Sequence, residues 1–201
     1  MLPEEAEYHK SFHAAEKHIK QAENLLGRLN VGKDLSFLRG LLFPAINELR
    51  YSAYHAIEAH STDDPVAKAG SFVSARKHCF RASFDALEAQ VQYLIGVCAV
   101  FQNDYRLVSI GEVIPNYQAD CLVLDEINQN ALARADYEHR EDYWKEAAVH
   151  LSRLEPICKR WEIGREELNK KLKREIRNRR LQTLTAIGVI IAIVTFILKL
   201  F

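Results

Sequence analysis

Two stretches of this 201-residue chain set an arginine and a histidine five positions apart, RYSAYH (Arg50, His55) and RADYEH (Arg134, His139). An imidazole near a ribose 2′-hydroxyl and a cation on the adjoining phosphate are what metal-free RNA cleavage requires, and His and Arg can supply both. The alternative for either pair is a structural histidine beside a solvated arginine. Arg50 and His55 fall inside a helical stretch, where five positions turn side chains about 140° apart. Arg134 and His139 straddle an expected helix start with Asp136 as its cap.

A denser polar group lies in SARKHCFRASFDALEAQ, where His78, Arg81, Asp85 and Glu88 recur at three, four and three beside Arg76 and Lys77. On the preceding helix Glu48 and His55 are seven apart and share a face with Ser52. If the two faces meet, Glu48, His55, His78, Arg81 and Asp85 form a buried polar cluster, usable as a ligand pocket or as a network fixing the bundle. Arg81 and Asp85 can also pair with each other as i, i+4 neighbours. No metal site or cofactor is expected: Glu-x-x-His is missing, His9 and His13 are i, i+4 neighbours that read as part of a solvated face of the first helix, and no phosphate loop, nucleophile elbow or zinc spacing occurs.

The elements that would position these residues are helical. Apolar residues recur at three and four, and no strand alternation persists. The first helix covers Glu4 to Leu29, with Phe12, Ala15, Ile19, Ala22, Leu25, Leu26 and Leu29 inward, and Gly32 ends the connection. The second runs from about Asp34 to His60, and Pro44 should kink or restart it. The third starts after Asp63 or Asp64 as cap with Pro65 in the first turn, and turns Val73, Phe80, Phe84, Leu87, Val91, Leu94, Cys98 and Phe101 to one side. A fourth helix is expected over Gln118 to Arg134, a fifth over Tyr137 to Arg160, and a last from Gly164 onward. The expected architecture is an all-α bundle of about five helices (residues 1–163), a basic stalk helix (164–180) and one transmembrane helix (181–199).

Residues 170–180 hold seven cations, Lys170, Lys171, Lys173, Arg174, Arg177, Arg179 and Arg180, against one acid, Glu175. Residues 1–169 hold 19 basic and 26 acidic groups, so the bundle is acidic and no broad nucleic-acid surface is expected. From Leu181 to Leu198 the chain is apolar or small apart from Gln182 and three threonines, and spans roughly 27 Å as a helix, enough to cross a hydrocarbon core. The preceding cations place the bundle on the cytosolic side of the inner membrane and can meet anionic headgroups. With Lys199, Leu200 and Phe201 following and no secretory signal in front, the chain is expected to be tail-anchored. Cys79, Cys98, Cys121 and Cys158 lack disulfide or metal spacing, as suits a reducing compartment. Thr185, Gly188, Ala192 and Thr195 recur at three, four and three, a small-residue seam through which copies could associate in lipid.

The Arg-x4-His spacing within an all-α bundle resembles the Arg-x4-6-His signature of HEPN domains. Together with the membrane span, the chain resembles the membrane-associated HEPN-like accessory proteins of type VI-B CRISPR loci. That resemblance implies a role in prokaryotic antiviral defence and an RNA or protein trigger. Three readings follow. The first is a homo-oligomeric effector that perturbs or permeabilises the membrane; the second a membrane-tethered HEPN-type ribonuclease using Arg134 and His139 or Arg50 and His55; the third a non-enzymatic interaction module at the membrane.

Overall fold

Helical periodicity is realised over most of the residues that the computed structural model describes, 2–28, 35–133 and 140–200. Their regular elements are α1 (Pro3–Arg28), α2 (Leu35–Ser61), α3 (Pro65–Asp104), α4 (Tyr117–Ala133) and α5 (Arg140–Leu200), with one 3-10 turn at Ile110–Glu112. The α3 start follows from its cap: Asp64 Oδ1 accepts the Val66 N–H at 3.0 Å, and Pro65, which has no N–H to leave unpaired, opens the first turn.

Two helix boundaries differ from expectation. Pro44 does not restart α2, which continues through it as one helix. The carbonyl that its missing N–H leaves unpaired belongs to Gly40, and both residues are exposed, so water can satisfy that group. Gly164 does not separate two helices, since α5 runs for 61 residues. It acts as a contact surface instead. A Cβ there would lie 3.0 and 3.1 Å from the Ile114 side chain, so the absent side chain lets Ile114 rest against the helix.

The described chain packs as two units, Met1–Val97 with Val123–Pro156, and Cys98–Leu122 with Ile157–Phe201. Where α1, α2 and α3 meet in the first unit, alanine dominates the core. Ala15, Ala22, Ala45, Ala56, Ala59, Ala75, Ala82, Ala86 and Ala89 are all buried, with Tyr8, Ile19, Leu42, Phe72 and Cys79 filling between them. Small side chains let the helix axes approach closely, and the core side of the first half of α3 is therefore Phe72, Ala75, Cys79, Ala82 and Ala86. Phe80, expected on the inner side, is 53% exposed, whereas Leu87, Val91, Leu94, Cys98 and Phe101 are buried as the periodicity predicts.

The second unit is built around Trp161, 1% exposed, whose ring lies 5.0 Å from that of Phe101 and 5.1 Å from that of Tyr117. Its indole N–H donates to buried Asp120 at 3.0 Å, and the Arg160 guanidinium completes the carboxylate's partners. Tyr105 Oη donates to Asn169 at 2.9 Å, and Arg165 lies over the Phe101 ring.

Two helices are long and apolar enough to cross a membrane by length and composition. In α3 the most apolar stretch has mean hydropathy 1.2 and is 56% buried, so it serves the core. In α5 the corresponding stretch reaches 2.4 with none of it buried.

Replacing Asp120 with alanine strands the Trp161 N–H in the interior, while Arg160, 43% exposed, can turn to water. The expected loss is about 2–3 kcal/mol, read as a lower urea midpoint at unchanged slope. An Ala82→Leu substitution should cost about 1–3 kcal/mol by overpacking the first unit, measured in the same way.

Candidate functional site

The densest polar group lies beside the alanine seam of the first unit. On α2, Glu48, Tyr51, His55 and Glu58 recur at three, four and three, which puts them on one side of the helix, and α3 brings His78 against them. His78 Nδ1 is 2.7 Å from Glu48 Oε2, and His55 Nδ1 is 3.1 Å from Glu58 Oε2. The two imidazoles stack with centroids 5.3 Å apart and planes 18° from parallel, and the Tyr51 ring lies 5.6 Å from that of His78 with planes 33° apart.

Two neighbouring histidines are thus each oriented by a carboxylate. With the carboxylates ionised, each Nδ1 carries the donated proton, and in the neutral ring Nε2 keeps its lone pair. Neither Nε2 has a partner among the described residues. The arrangement can accept a proton at one ring and deliver one from the other, or hold a polar ligand at its open edge. It is half-buried and not the buried cluster that meeting faces suggested: His78 is 18% exposed and Glu48 22% exposed. The reason is that α2 and α3 meet along Ala45, Ala56, Ala75, Cys79 and Ala82, which leaves the polar residues at the margin of the contact.

Of the other residues singled out in the sequence, Arg50 is exposed, places its guanidinium 4.9 Å from the Tyr51 ring centre, and makes no contact with His55 among the described residues. Arg81 is exposed and Asp85 half-buried on α3. Ser52 faces the core, where its Oγ is 2.9 Å from Cys79 Sγ. Arg134 and His139 lie outside the described residues. Tyr51 and Glu58 were not anticipated, although Glu58 follows His55 at i+3, a spacing from which the pair could have been read.

All four cysteines are free, and Cys98 and Cys158 are buried with their sulfurs 3.5 Å apart. Burial pushes the Cys79 thiol up, away from the reactive thiolate. The hydrogen bond to Cys158 and burial together push the Cys98 thiol up, away from the reactive thiolate. Tyr117 is pushed up to about 12, chiefly by burial and then by its hydrogen bond with Cys121. Among the described residues no three His, Cys, Asp or Glu side chains lie close enough to hold a metal ion.

The C-terminal part of α5 carries the second group. Lys170 pairs with Glu166 at 2.7 Å, Lys171 with Glu112 of the 3-10 turn at 2.7 Å, and Arg179 with Glu175 at 2.9 Å. The Lys171 ammonium holds the Glu112 carboxyl below the usual carboxylate range. Beyond these pairs every described side chain from Leu181 to Leu198 is exposed. The three threonines there donate their hydroxyls to their own helix, Thr183 to the Arg179 carbonyl, Thr185 to Leu181 and Thr195 to Ile191, at 2.9, 2.9 and 2.8 Å.

No family model matches this sequence, and no curated protein or solved structure matches it either. The Glu48–His78 contact is directly measurable. A double-mutant cycle with Glu48→Ala and His78→Ala should give a coupling of about 0.5–1.5 kcal/mol in thermal or urea unfolding. A coupling of zero would mean that the pair does not fix the ring.

Proposed function

We propose that this chain is a membrane-anchored helical effector: the apolar end of α5 spans the bilayer, the preceding basic turns stay at the cytosolic surface, and the acidic helical domain faces the cytosol. The observation that carries the reading is the exposure of all eighteen residues from Leu181 to Leu198 on a helix whose nearer residues are held by packing in the second unit. In water such a surface would expose far more contiguous apolar area than a monomeric protein ordinarily leaves uncovered. In lipid it is matched: the three threonine hydroxyls bond back to their own helix, and the remaining polar side chain, Gln182, stands one residue inside the basic end of the run, at interfacial depth.

The effector acts by self-association in the membrane. Thr185, Gly188, Ala192 and Thr195 form a small-residue seam that lets neighbouring helices approach, and nothing lies within 4 Å of a Cβ built on Gly188. The resemblance to HEPN-like accessory proteins of type VI-B CRISPR loci points to antiviral defence, with an RNA or protein signal received by the helical domain.

A second reading, a membrane-tethered ribonuclease, is favoured by the paired histidines. One Nε2 would take the proton of a ribose 2′-hydroxyl as that oxygen attacks phosphorus. The other ring, protonated, would give its proton to the departing 5′-oxygen, leaving a 2′,3′-cyclic phosphate and a 5′-hydroxyl.

The two readings separate by mutation. Gly188→Leu with Ala192→Leu should keep the chain in the membrane fraction after carbonate extraction but abolish dye leakage from vesicles and growth arrest on expression. His55→Ala with His78→Ala should leave leakage unchanged; if the ribonuclease reading holds instead, this double variant loses RNA cleavage by about 100-fold or more. Leakage persisting in the leucine variant would contradict the effector reading.

A further inference from the structure

We infer that one side of α5, formed by Lys173, Arg174, Arg177 and Arg180, is a docking surface for the phosphate groups of anionic phospholipids; this rests on the membrane reading above. Of the seven cations in residues 170–180, three are already neutralised inside the protein: Lys170 by Glu166, Lys171 by Glu112 and Arg179 by Glu175. The other four are exposed and have no carboxylate partner among the described residues. Residues 176–201 contain no Asp or Glu side chain.

The unpaired cations are also grouped. At about 100° per residue, Lys173, Arg177 and Arg180 fall within roughly 60° of one another, and Arg174 is one residue step further round. Lys171, Glu175 and Arg179, which carry the pairs, recur at four and occupy the opposite side of the helix. The Lys170–Glu166 pair lies a turn farther from the apolar run. The helix therefore presents a self-neutralised side and an unneutralised one in the turns that enter the apolar stretch.

Depth and chemistry both favour lipid over a soluble polyanion. The four cations lie within roughly 12 Å of Leu181 along the axis, which places them through the headgroup layer once the apolar run is in the hydrocarbon. Three of the four are arginines, whose fork of donors matches phosphate oxygens two at a time. The same side continues into the membrane: Arg174, Arg177, Leu181, Thr185, Gly188, Ala192 and Thr195 follow one another at three or four residues. Packing two copies through the small-residue seam brings Arg174 and Arg177 of each close together, and a lipid phosphate between them offsets the repulsion.

The test reconstitutes the full chain in phosphatidylcholine vesicles holding a minority of phosphatidylglycerol. Electron paramagnetic resonance then compares how strongly spin-labelled phosphatidylglycerol and spin-labelled phosphatidylcholine are immobilised by the protein. The native chain should select the anionic lipid several-fold, about fivefold for one cation's attraction, and high salt should reduce that preference. K173Q/R174Q/R177Q/R180Q should bring the ratio to one. E166Q/K170Q/E175Q/R179Q, which leaves the net charge unchanged, should keep the native preference. Equal loss in both variants, or native selectivity in the first, overturns the proposal. Carbonate extraction of the same vesicles separates the two levels: a native chain that is stripped off refutes the membrane reading, whereas a chain that stays inserted without selectivity overturns the docking surface alone.

Discussion

The buried carboxylate of Asp120, held between the indole N–H of Trp161 and the guanidinium of Arg160, fixes how α5 sits in the second unit. A buried charge is tolerated only when its acceptors are filled, so the rotation of α5 about its own axis is constrained to the one that aims Trp161 at Asp120. Tyr105 with Asn169 and Gly164 against Ile114 reinforce that setting further along the helix. Because an α-helix propagates rotation at a constant angle per residue, the same contacts decide which way the basic turns and the apolar end face. An unbroken helix has no flexible segment in which that setting could be lost.

Along α5 the surroundings change in steps that the residue types follow. Trp161 and Leu168 are buried in protein, six of the seven cations of residues 170–180 are exposed, and Leu181 to Leu198 present apolar side chains, three self-bonded threonines and Gln182. The division of the cations into paired and unpaired sides matters more than their number. Exposed i, i+4 pairs such as Lys170–Glu166 add little to stability, yet they remove charge from one part of the helix and leave it on another. The histidine pair in the first unit follows the same logic of partners, with a carboxylate on one nitrogen of each ring and the second nitrogen left open.

Local patterns were legible in the sequence, and long-range pairings were not. The all-helical class, an aspartate cap before Pro65 (Asp63 or Asp64 from the sequence, Asp64 in the structure) and the buried side of α3 from Leu87 onward follow from periodicity and capping chemistry. The first half of α3 departs from the periodicity of its large residues because the contact is made by Ala75, Cys79, Ala82 and Ala86, which carry little hydrophobic signal individually, while Phe80 is left exposed. Gly164 reads as the start of a last helix, whereas it lies within α5 with Ile114 against it. Glu48 and His78 were singled out together, but Asp120 and Trp161 are 41 positions apart and the Lys171–Glu112 pair 59 apart, with no local spacing to announce either.

The mass of the full-length protein in mild detergent, with the detergent contribution subtracted, tests the central claim most directly. The account predicts a discrete higher oligomer that dissociates when the Gly188–Ala192 seam is filled with leucine. A native chain that runs as a monomer, with or without the leucines, would contradict it and leave the apolar end of α5 as an anchor alone.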